Sequence, residues 1–593
     1  MFLSDAKKNA PVGRSFFSDY RSLLVASLFL SGWLSTSHFT PWVSWHSEVP
    51  FFIGAFGVAL ALSIRALRKK DSPGHSIPLT IWPLGLLMVI TCFQVLTGEI
   101  EFFGNAFVVV LYLCLGVICI AIGAELSPPK DVNLPASSCV EFGEWLAWLT
   151  LIGIIASVSV AMAQVLQVWE DSAWIVRMPY IRRPGGNLGQ PNHLATLIVM
   201  GMASAIYLMS LKRIGGLGLS AVLVFCGLGI AITESRTGVL SLFGLVIWWL
   251  WKQPVISSTI SRWFALPFVV FFLAVYLLWP WAFSAFSGDV RATGPLRLEA
   301  DVIDARLAFW PQLIEAILQR PWLGWGMRET AQAHSSVVHG YGYSLPLTYS
   351  HNLILDLALW IGLPLTIFIC IAVLYWLWKR TKAIGAPSPW FGMAMALPLG
   401  VHSMLEFPFA YAYLLVPAML GVGLMEGSLR AVKTVSIKSR HAFGVMVFIS
   451  ALSALSAIEF VRIEQSFRDV RFEMLRIGEK SIARNDSPVL LLTQLHALVL
   501  AARLELRPGM GVEEMLLLKR VAEHYAWSGP QFRYVTALAL NNQSNEATRL
   551  LKVIRAQHGN AVHDSLRNQM NQTLLKNEVK GDAYEAYKPI LGN

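Results

Sequence analysis

Long apolar runs separated by short polar connections fill most of the chain up to residue 461. Runs able to cross ~30 Å of hydrocarbon fall at 22–38, 50–64, 77–97, 103–124, 145–166, 192–211, 216–233, 238–251, 264–286, 353–378, 390–406, 409–428 and 443–461, which predicts about thirteen membrane-spanning helices. The first run follows Lys7, Lys8 and Arg14 without a small-residue cleavage pattern, so it reads as a retained span. Two stretches depart from this rhythm. Residues 287–350 form a long polar loop in which Leu307, Trp310, Leu313, Ile314, Ile317 and Leu318 recur at the spacing of an amphipathic helix lying at the membrane face. After residue 461 polarity rises, and apolar positions keep helical spacing in 489–506, 512–524, 531–540 and 545–557, punctuated by Pro508-Gly509, Ser528-Gly529-Pro530 and Asn541-Asn542. The predicted fold is an all-α polytopic membrane protein. It comprises an N-terminal segment (1–21), transmembrane helices (22–286), a large loop (287–350), further transmembrane helices (351–461) and a helical, repeat-like domain (462–593).

Basic residues in the short loops set the expected orientation. Lys7, Lys8 and Arg14, then Arg65, Arg68, Lys69 and Lys70, Lys212 and Arg213, Lys252 and Arg262, Lys379, Arg380 and Lys382, and Arg430, Lys433, Lys438 and Arg440 fall on one side if the spans alternate, and that side is the cytoplasm. Loops 39–49, 167–191 and 287–350 and everything after 461 then face outward. Two outward loops defy the charge rule: one carries Arg177, Arg182 and Arg183, the other Arg291, Arg297, Arg306, Arg320 and Arg328. Guanidinium groups kept where topology disfavours them point to a multiply anionic ligand at the outer face.

Composition narrows the function classes. With 55% hydrophobic and 14% charged residues the chain has more apolar surface than a soluble core needs. Its net charge of +10 suits anionic lipid headgroups, and the lack of a basic run with interleaved aromatics outside the membrane segments argues against nucleic acid. Of six cysteines, Cys139 lies in a connecting loop and the others in apolar runs; with no CxxC pair, neither a metal site nor disulfides in the outer regions are expected.

Four constellations could carry chemistry. Arg182 to His193 (RRPGGNLGQPNH) is a glycine-rich entry to a span, either an ordinary turn or a place where backbone N–H groups and a helix N-terminus meet an anion, with Gln190, Asn192 and His193 entering the membrane together. Glu234-Ser235-Arg236-Thr237 sits between two short runs, where an ionisable residue marks function or a Glu234–Arg236 pair closes a turn. Arg306 opens the amphipathic segment that leads to Pro321-Trp322-Leu323-Gly324-Trp325-Gly326. His351-Asn352 stands where the polar loop meets an apolar run, and Glu406 lies at the outer end of another pair of spans, as a functional carboxylate or a salt-bridge partner for an arginine; Tyr411 and Tyr413 follow, as ligand contacts or interface aromatics.

In this order, Arg183-x-x-Gly-x-x-x-Gln-Pro-Asn192, Ser235-Arg236, Arg306 with Pro321-x-x-Gly-x-Gly, His351-Asn352 with Gly362, and Glu406 resemble the superfamily of O-antigen ligases, O-antigen polymerases and bacterial protein O-oligosaccharyltransferases over about residues 145–430. Gln190-Pro191-Asn192-His193 and the C-terminal helical region are most similar to the pilin-glycosylating branch. Where an acidic residue is common two positions before the glycine, this chain has Trp360. The resemblance implies a bacterial inner-membrane enzyme whose periplasmic site transfers a preassembled glycan from undecaprenyl diphosphate to Ser or Thr hydroxyls of pilin-like or periplasmic proteins, without metal, nucleotide sugar or other cofactor. It implies Arg236 and Arg306, with Arg183, on the diphosphate and His351 as base or orienting group. Glu406 would tune His351 or an arginine, and Gln190, Asn192, His193, Asn352 and Tyr411 would contact substrate. Ligation onto lipid A–core and polymerisation of repeat units share this chemistry. An anionic-lipid transporter is the rival of another class, but related halves with broken helices are not evident in the chain.

Overall fold

A computed structural model describes residues 20–68, 74–127, 141–169, 171–177, 183–256, 261–287, 297–429, 432–475 and 488–576. The first helices are α1 (Tyr20–Trp33), α2 (Trp45–Arg68), α3 (Trp82–Leu96), α4 (Phe103–Glu125) and α5 (Glu141–Val165). Then come α6 (Pro191–Ser210), α7 (Gly216–Thr233), α8 (Arg236–Ile256) and α9 (Ala265–Ser287). The large loop contains α10 (Arg297–Gln319) and α11 (Thr330–Val337), and α12 (Leu353–Ile361), α13 (Leu363–Ala383), α14 (Pro387–Ser403) and α15 (Ala412–Ser428) follow. The chain continues with α16 (Ser439–Met474), α17 (Thr493–Arg503), α18 (Val512–His524), α19 (Ser528–Leu540) and α20 (Ser544–Lys576). Strands β1 (His75–Pro78) and β2 (Thr434–Ile437), which the hydrophobic pattern does not foresee, pair antiparallel with His75 opposite Ile437.

Among the described residues ten helical segments are long and apolar enough to cross a membrane, which makes this a mainly helical, multi-pass membrane protein. α1, α14 and α15, each matching an expected span, are shorter, with 14, 17 and 17 residues. The expected run 353–378 is not one helix. It breaks at Gly362, whose φ of +79° ends α12, and Pro364 opens α13. Hydropathy alone reads straight through such a corner because Leu and Ile continue on both sides.

α6 is the most buried of the membrane helices and touches α5, α7, α8 and α14. A helix apolar all round and free of charge suits that central place, and its N-terminus carries Gln190, Asn192 and His193. α14 and α15 pack through glycines: a Cβ on Gly392 would meet the Gly421 carbonyl oxygen at 2.3 Å. In lipid, where apolar burial between helices gives little, such close backbone approach is the main source of helix association.

The last helices form their own core, with Val499, Leu518, Val535, Leu538 and Ile554 buried together. α16 runs on past residue 461 into this region, and Glu459 takes the backbone N–H groups of Leu490, Leu491 and Leu492 at 2.8, 3.0 and 3.0 Å. The Thr493 hydroxyl accepts the Gly104 N–H at 2.9 Å and Arg520 pairs with Glu101, so the helices dock on the start of α4. A buried polar network ties them to the large loop: His334 contacts Gln312, Ser344 and Gln557, and the Ser344 N–H bonds the Ala556 carbonyl at 2.8 Å.

Candidate active site

The N-terminus of α6 is built by its own side chains. Gln190 caps it, its Oε1 accepting the His193 N–H at 2.8 Å, which leaves Gln190 Nε2 to donate to Glu406 at 3.1 Å. Asn192 Nδ2 donates to the other Glu406 oxygen at 2.5 Å. The glycine-rich entry differs from its expected role. Gln164 holds both the N–H and the carbonyl of Gly186, and the Gly189 N–H bonds Gly186, so these backbone groups are engaged inside the protein rather than turned to an anion. Arg183 Nε donates to the Thr233 carbonyl at 3.2 Å, which brings it to the α7–α8 corner.

At that corner Glu234 is buried in a left-handed conformation (φ +48°), and the Ser235 hydroxyl accepts the Gly238 N–H at 3.0 Å. Arg236 is therefore delivered at the first position of α8. Arg306, on α10, donates to the Leu405 carbonyl at 2.8 Å. Burial lowers the Arg306 pKa, Glu406 raises it and Arg236 lowers it, so the two guanidinium groups and the carboxylate lie within electrostatic reach of one another.

His351 occupies a left-handed turn (φ +59°) just before α12. Its ring lies among aromatics, 5.1 Å from the Phe407 ring and 6.1 Å from that of Phe309, and makes no hydrogen bond with the described residues. Burial pushes its pKa below the ordinary 6.5, Glu406 opposes this and Arg306 adds to it, so the ring is neutral at pH 7. Asn352, expected at the substrate, is used by the fold: its Oδ1 caps α12 at the N–H groups of Ile354 and Leu355, and its Nδ2 donates to the Met404 carbonyl at 3.0 Å.

Glu406 lies in the turn after α14, beyond the helix end. Its oxygens engage Gln190, Asn192 and His402 Nε2 (3.1 Å) rather than an arginine. Burial pushes the carboxyl up, but the His402 hydrogen bond and the surrounding imidazoles outweigh it and hold the pKa at about 2. His193 is buried behind this carboxylate, with Nδ1 2.7 Å from the Tyr413 hydroxyl and its ring 4.3 Å from that of Tyr411. His402, in turn, has Nδ1 2.7 Å from the Thr196 hydroxyl. The ligand atoms of His193, His402 and Glu406 all lie within 4.8 Å of one another, the one metal-compatible group among the described residues. His402 Nε2 and both carboxylate oxygens already satisfy one another or Gln190 and Asn192, so the cluster also stands complete as a hydrogen-bond network.

Arg236, Arg306, Gln190, Asn192, His193, His351, Glu406 and Tyr411 are thus linked around one locus, and Arg183 lies at the α7–α8 corner from which Arg236 starts α8. Arg177 pairs with Asp171 and Arg320 with Glu99, both away from it. Arg328 lies over the Tyr349 ring at 5.6 Å, behind the aromatic wall in which Tyr349 stacks on Phe407. Arg182, Arg291 and Cys139 fall outside the described residues, and of Arg297 only the helical backbone is described. The sequence reading passed over His402, Thr196 and Glu48. Buried Glu48 accepts the Ala412 N–H at 2.9 Å and the Tyr112 hydroxyl, fixing the start of α15 beside Tyr411. His402 carried a usable signal, since it precedes Glu406 by one helical turn.

Three regions of the chain match families of known proteins. The family described as O-antigen ligase matches residues 221–370, that described as protein glycosylation ligase matches 184–209, and the C-terminal region of virulence-factor membrane-bound polymerases matches 390–572. A general O-oligosaccharyltransferase of Acinetobacter baylyi is 25% identical over 446 residues, 72% of this chain and 74% of the relative. A ComP-specific O-oligosaccharyltransferase of the same organism is 26% identical over 373 residues, 62% and 64% of the two chains. The chain therefore matches the O-antigen ligase and protein glycosylation ligase families in these regions and is similar to Acinetobacter O-oligosaccharyltransferases over most of its length.

Proposed function

We propose that the protein is a protein O-oligosaccharyltransferase of a bacterial inner membrane, with about thirteen spans and with its site and C-terminal helices facing the periplasm. It moves a preassembled glycan from undecaprenyl diphosphate to a Ser or Thr hydroxyl of a periplasmic or pilin-like protein. The observation that supports this reading is the approach of Arg236 and Arg306, from separate parts of the chain and with Arg183 at the same α7–α8 corner, to a site where Arg306 is within electrostatic reach of His351, whose imidazole makes no hydrogen bond with the described residues.

In the reaction the acceptor oxygen attacks the anomeric carbon, the bond from that carbon to the diphosphate oxygen breaks with its electron pair, and the hydroxyl proton passes to His351. A serine or threonine hydroxyl is a weak nucleophile and needs that base. Negative charge on the diphosphate grows along the path, so fixed guanidinium groups favour the transition state over the ground state. They supply the charge that a divalent cation would otherwise bring, which supports a metal-independent transfer. Glu406 then stabilises the imidazolium that forms, and Gln190 and Asn192 hold Glu406 in place. Tyr411, half-buried on the same wall, is the side chain placed to stack on sugar.

The O-antigen ligase match favours lipid A–core as the second acceptor to test. Expression in a Gram-negative host that makes a lipid-linked glycan but lacks its own ligase separates the two readings. Glycan on secreted or pilin-like protein, lost in His351→Ala, is the expected result. Glycan on lipopolysaccharide instead would move the reading to a ligase, and glycan on neither would overturn transfer to an acceptor.

A further inference from the structure

A left-handed conformation at a residue with a side chain is sterically costly and persists only where the surroundings impose it. His351 is in that conformation, so the question is what imposes it. Four hydrogen bonds hold the preceding residue: Trp310 Nε1 donates to the Ser350 carbonyl at 3.1 Å, the Ser350 hydroxyl donates to the Asn352 carbonyl at 2.7 Å and accepts the Asn352 N–H at 3.2 Å, and the Ser350 N–H donates to Asp356 Oδ1 at 2.7 Å.

Of these partners Asp356 is the unexpected one. It is fully buried, on the first turns of α12, with the Thr330 hydroxyl 3.5 Å from the same oxygen; Thr330 in turn accepts Trp360 Nε1 at 2.8 Å. Its second oxygen, Oδ2, is buried without a hydrogen-bond partner among the described residues. A buried carboxyl with an orphaned oxygen is costly, and for packing alone a leucine would serve this apolar helix better. Asp356 does not touch the locus where substrate is expected; its described bonds go to Ser350 and Thr330.

We infer that Asp356 is a positioning residue: its bond to the Ser350 N–H locks the turn that presents the His351 imidazole to the acceptor. This rests on the reading of His351 as the base. The acceptor function is all that is required, so an amide oxygen at the same place serves as well as a carboxylate.

The test is a double-mutant cycle on the reconstituted full-length enzyme. Initial rates of transfer are measured across acceptor concentrations up to saturation, with saturating donor, for wild type, Asp356→Asn, Asp356→Leu, His351→Ala and the double variant Asp356→Leu/His351→Ala. Asp356→Leu is expected to lower kcat roughly tenfold or more with KM nearly unchanged, whereas Asp356→Asn, which keeps the acceptor oxygen, stays close to wild type; in the His351→Ala background Asp356→Leu should cost no more than about twofold. An equal loss in both backgrounds, which misfolding would also give, overturns the proposal, as does an Asp356→Asn variant as impaired as Asp356→Leu. Full activity of His351→Ala would instead overturn the base assignment, which separates the two failures.

Discussion

The Arg306 guanidinium donates to the carbonyl of Leu405 at 2.8 Å, which sets a cation from the large loop one residue from Glu406. A helix outside the membrane bundle and the turn between two membrane helices are thereby joined at the site. Both charges act on His351: the carboxylate of Glu406 favours its protonation and the Arg306 guanidinium opposes it.

If Arg236 and Arg306 grip the diphosphate through planar, two-pronged hydrogen bonding, lysine cannot replace them. Arg236→Lys and Arg306→Lys should each lower transfer on the order of 100-fold, while Arg177→Ala, which breaks an exposed pair with Asp171, should leave it unchanged. Initial rates of glycan transfer check this, and a fully active Arg236→Lys would remove that residue from the diphosphate.

The pH profile reports on His351. Burial lowers its pKa below 6.5, so the base-competent neutral form dominates at pH 7 and transfer falls only as the pH drops through that lowered value. Glu406, held at about 2, does not titrate in that range. The acid limb should therefore lie below pH 6.5 and be absent from the residual activity of His351→Ala.

Chelators distinguish the two uses of the His193, His402 and Glu406 cluster. Transfer by the purified enzyme should be unchanged by EDTA and by added zinc. Loss with EDTA and recovery with zinc would turn that cluster into a metal site, and His402→Ala would then abolish metal binding as well as activity.

Gly362 carries the corner between α12 and α13, where a Cβ would meet the Trp322 carbonyl oxygen at 2.3 Å in a backbone with φ +79°. Gly362→Ala should cost roughly 1–3 kcal/mol and lower the thermal midpoint of the detergent-solubilised protein by several degrees. Activity should fall with it, because this corner fixes one end of α12 and His351 stands at the other.

Much of the candidate site is legible in the sequence because its residues are costly where they stand: arginines in polar loops and corners between apolar runs, a histidine at a loop-to-span junction, a lone carboxylate between two spans. Arg183, Arg236, Arg306, His351 and Glu406 stand out for that reason. What stayed hidden was polar chemistry inside apolar helices. Thr196 and His402 read as tolerated single residues until α6 and α14 are packed together, when their side chains meet at 2.7 Å. The break at Gly362 was hidden by an apolar run continuous on both sides, although Gly362-Leu363-Pro364 is itself a helix-stop signal. Asn352 and the Gly186 loop have a structural use that the sequence does not reveal. Polar and glycine residues beside a site look like ligand contacts, yet here they cap α12 and lock a turn.

The most direct measurement of the central claim uses purified protein in lipid nanodiscs with an undecaprenyl-diphosphate-linked oligosaccharide and a serine-containing pilin-like acceptor, followed for glycosylated acceptor and released undecaprenyl diphosphate. Wild type should form both in equal amounts, and His351→Ala or Arg306→Ala should form neither at a comparable rate. Release of undecaprenyl diphosphate without glycan on the acceptor, or undiminished transfer by His351→Ala, would contradict the account.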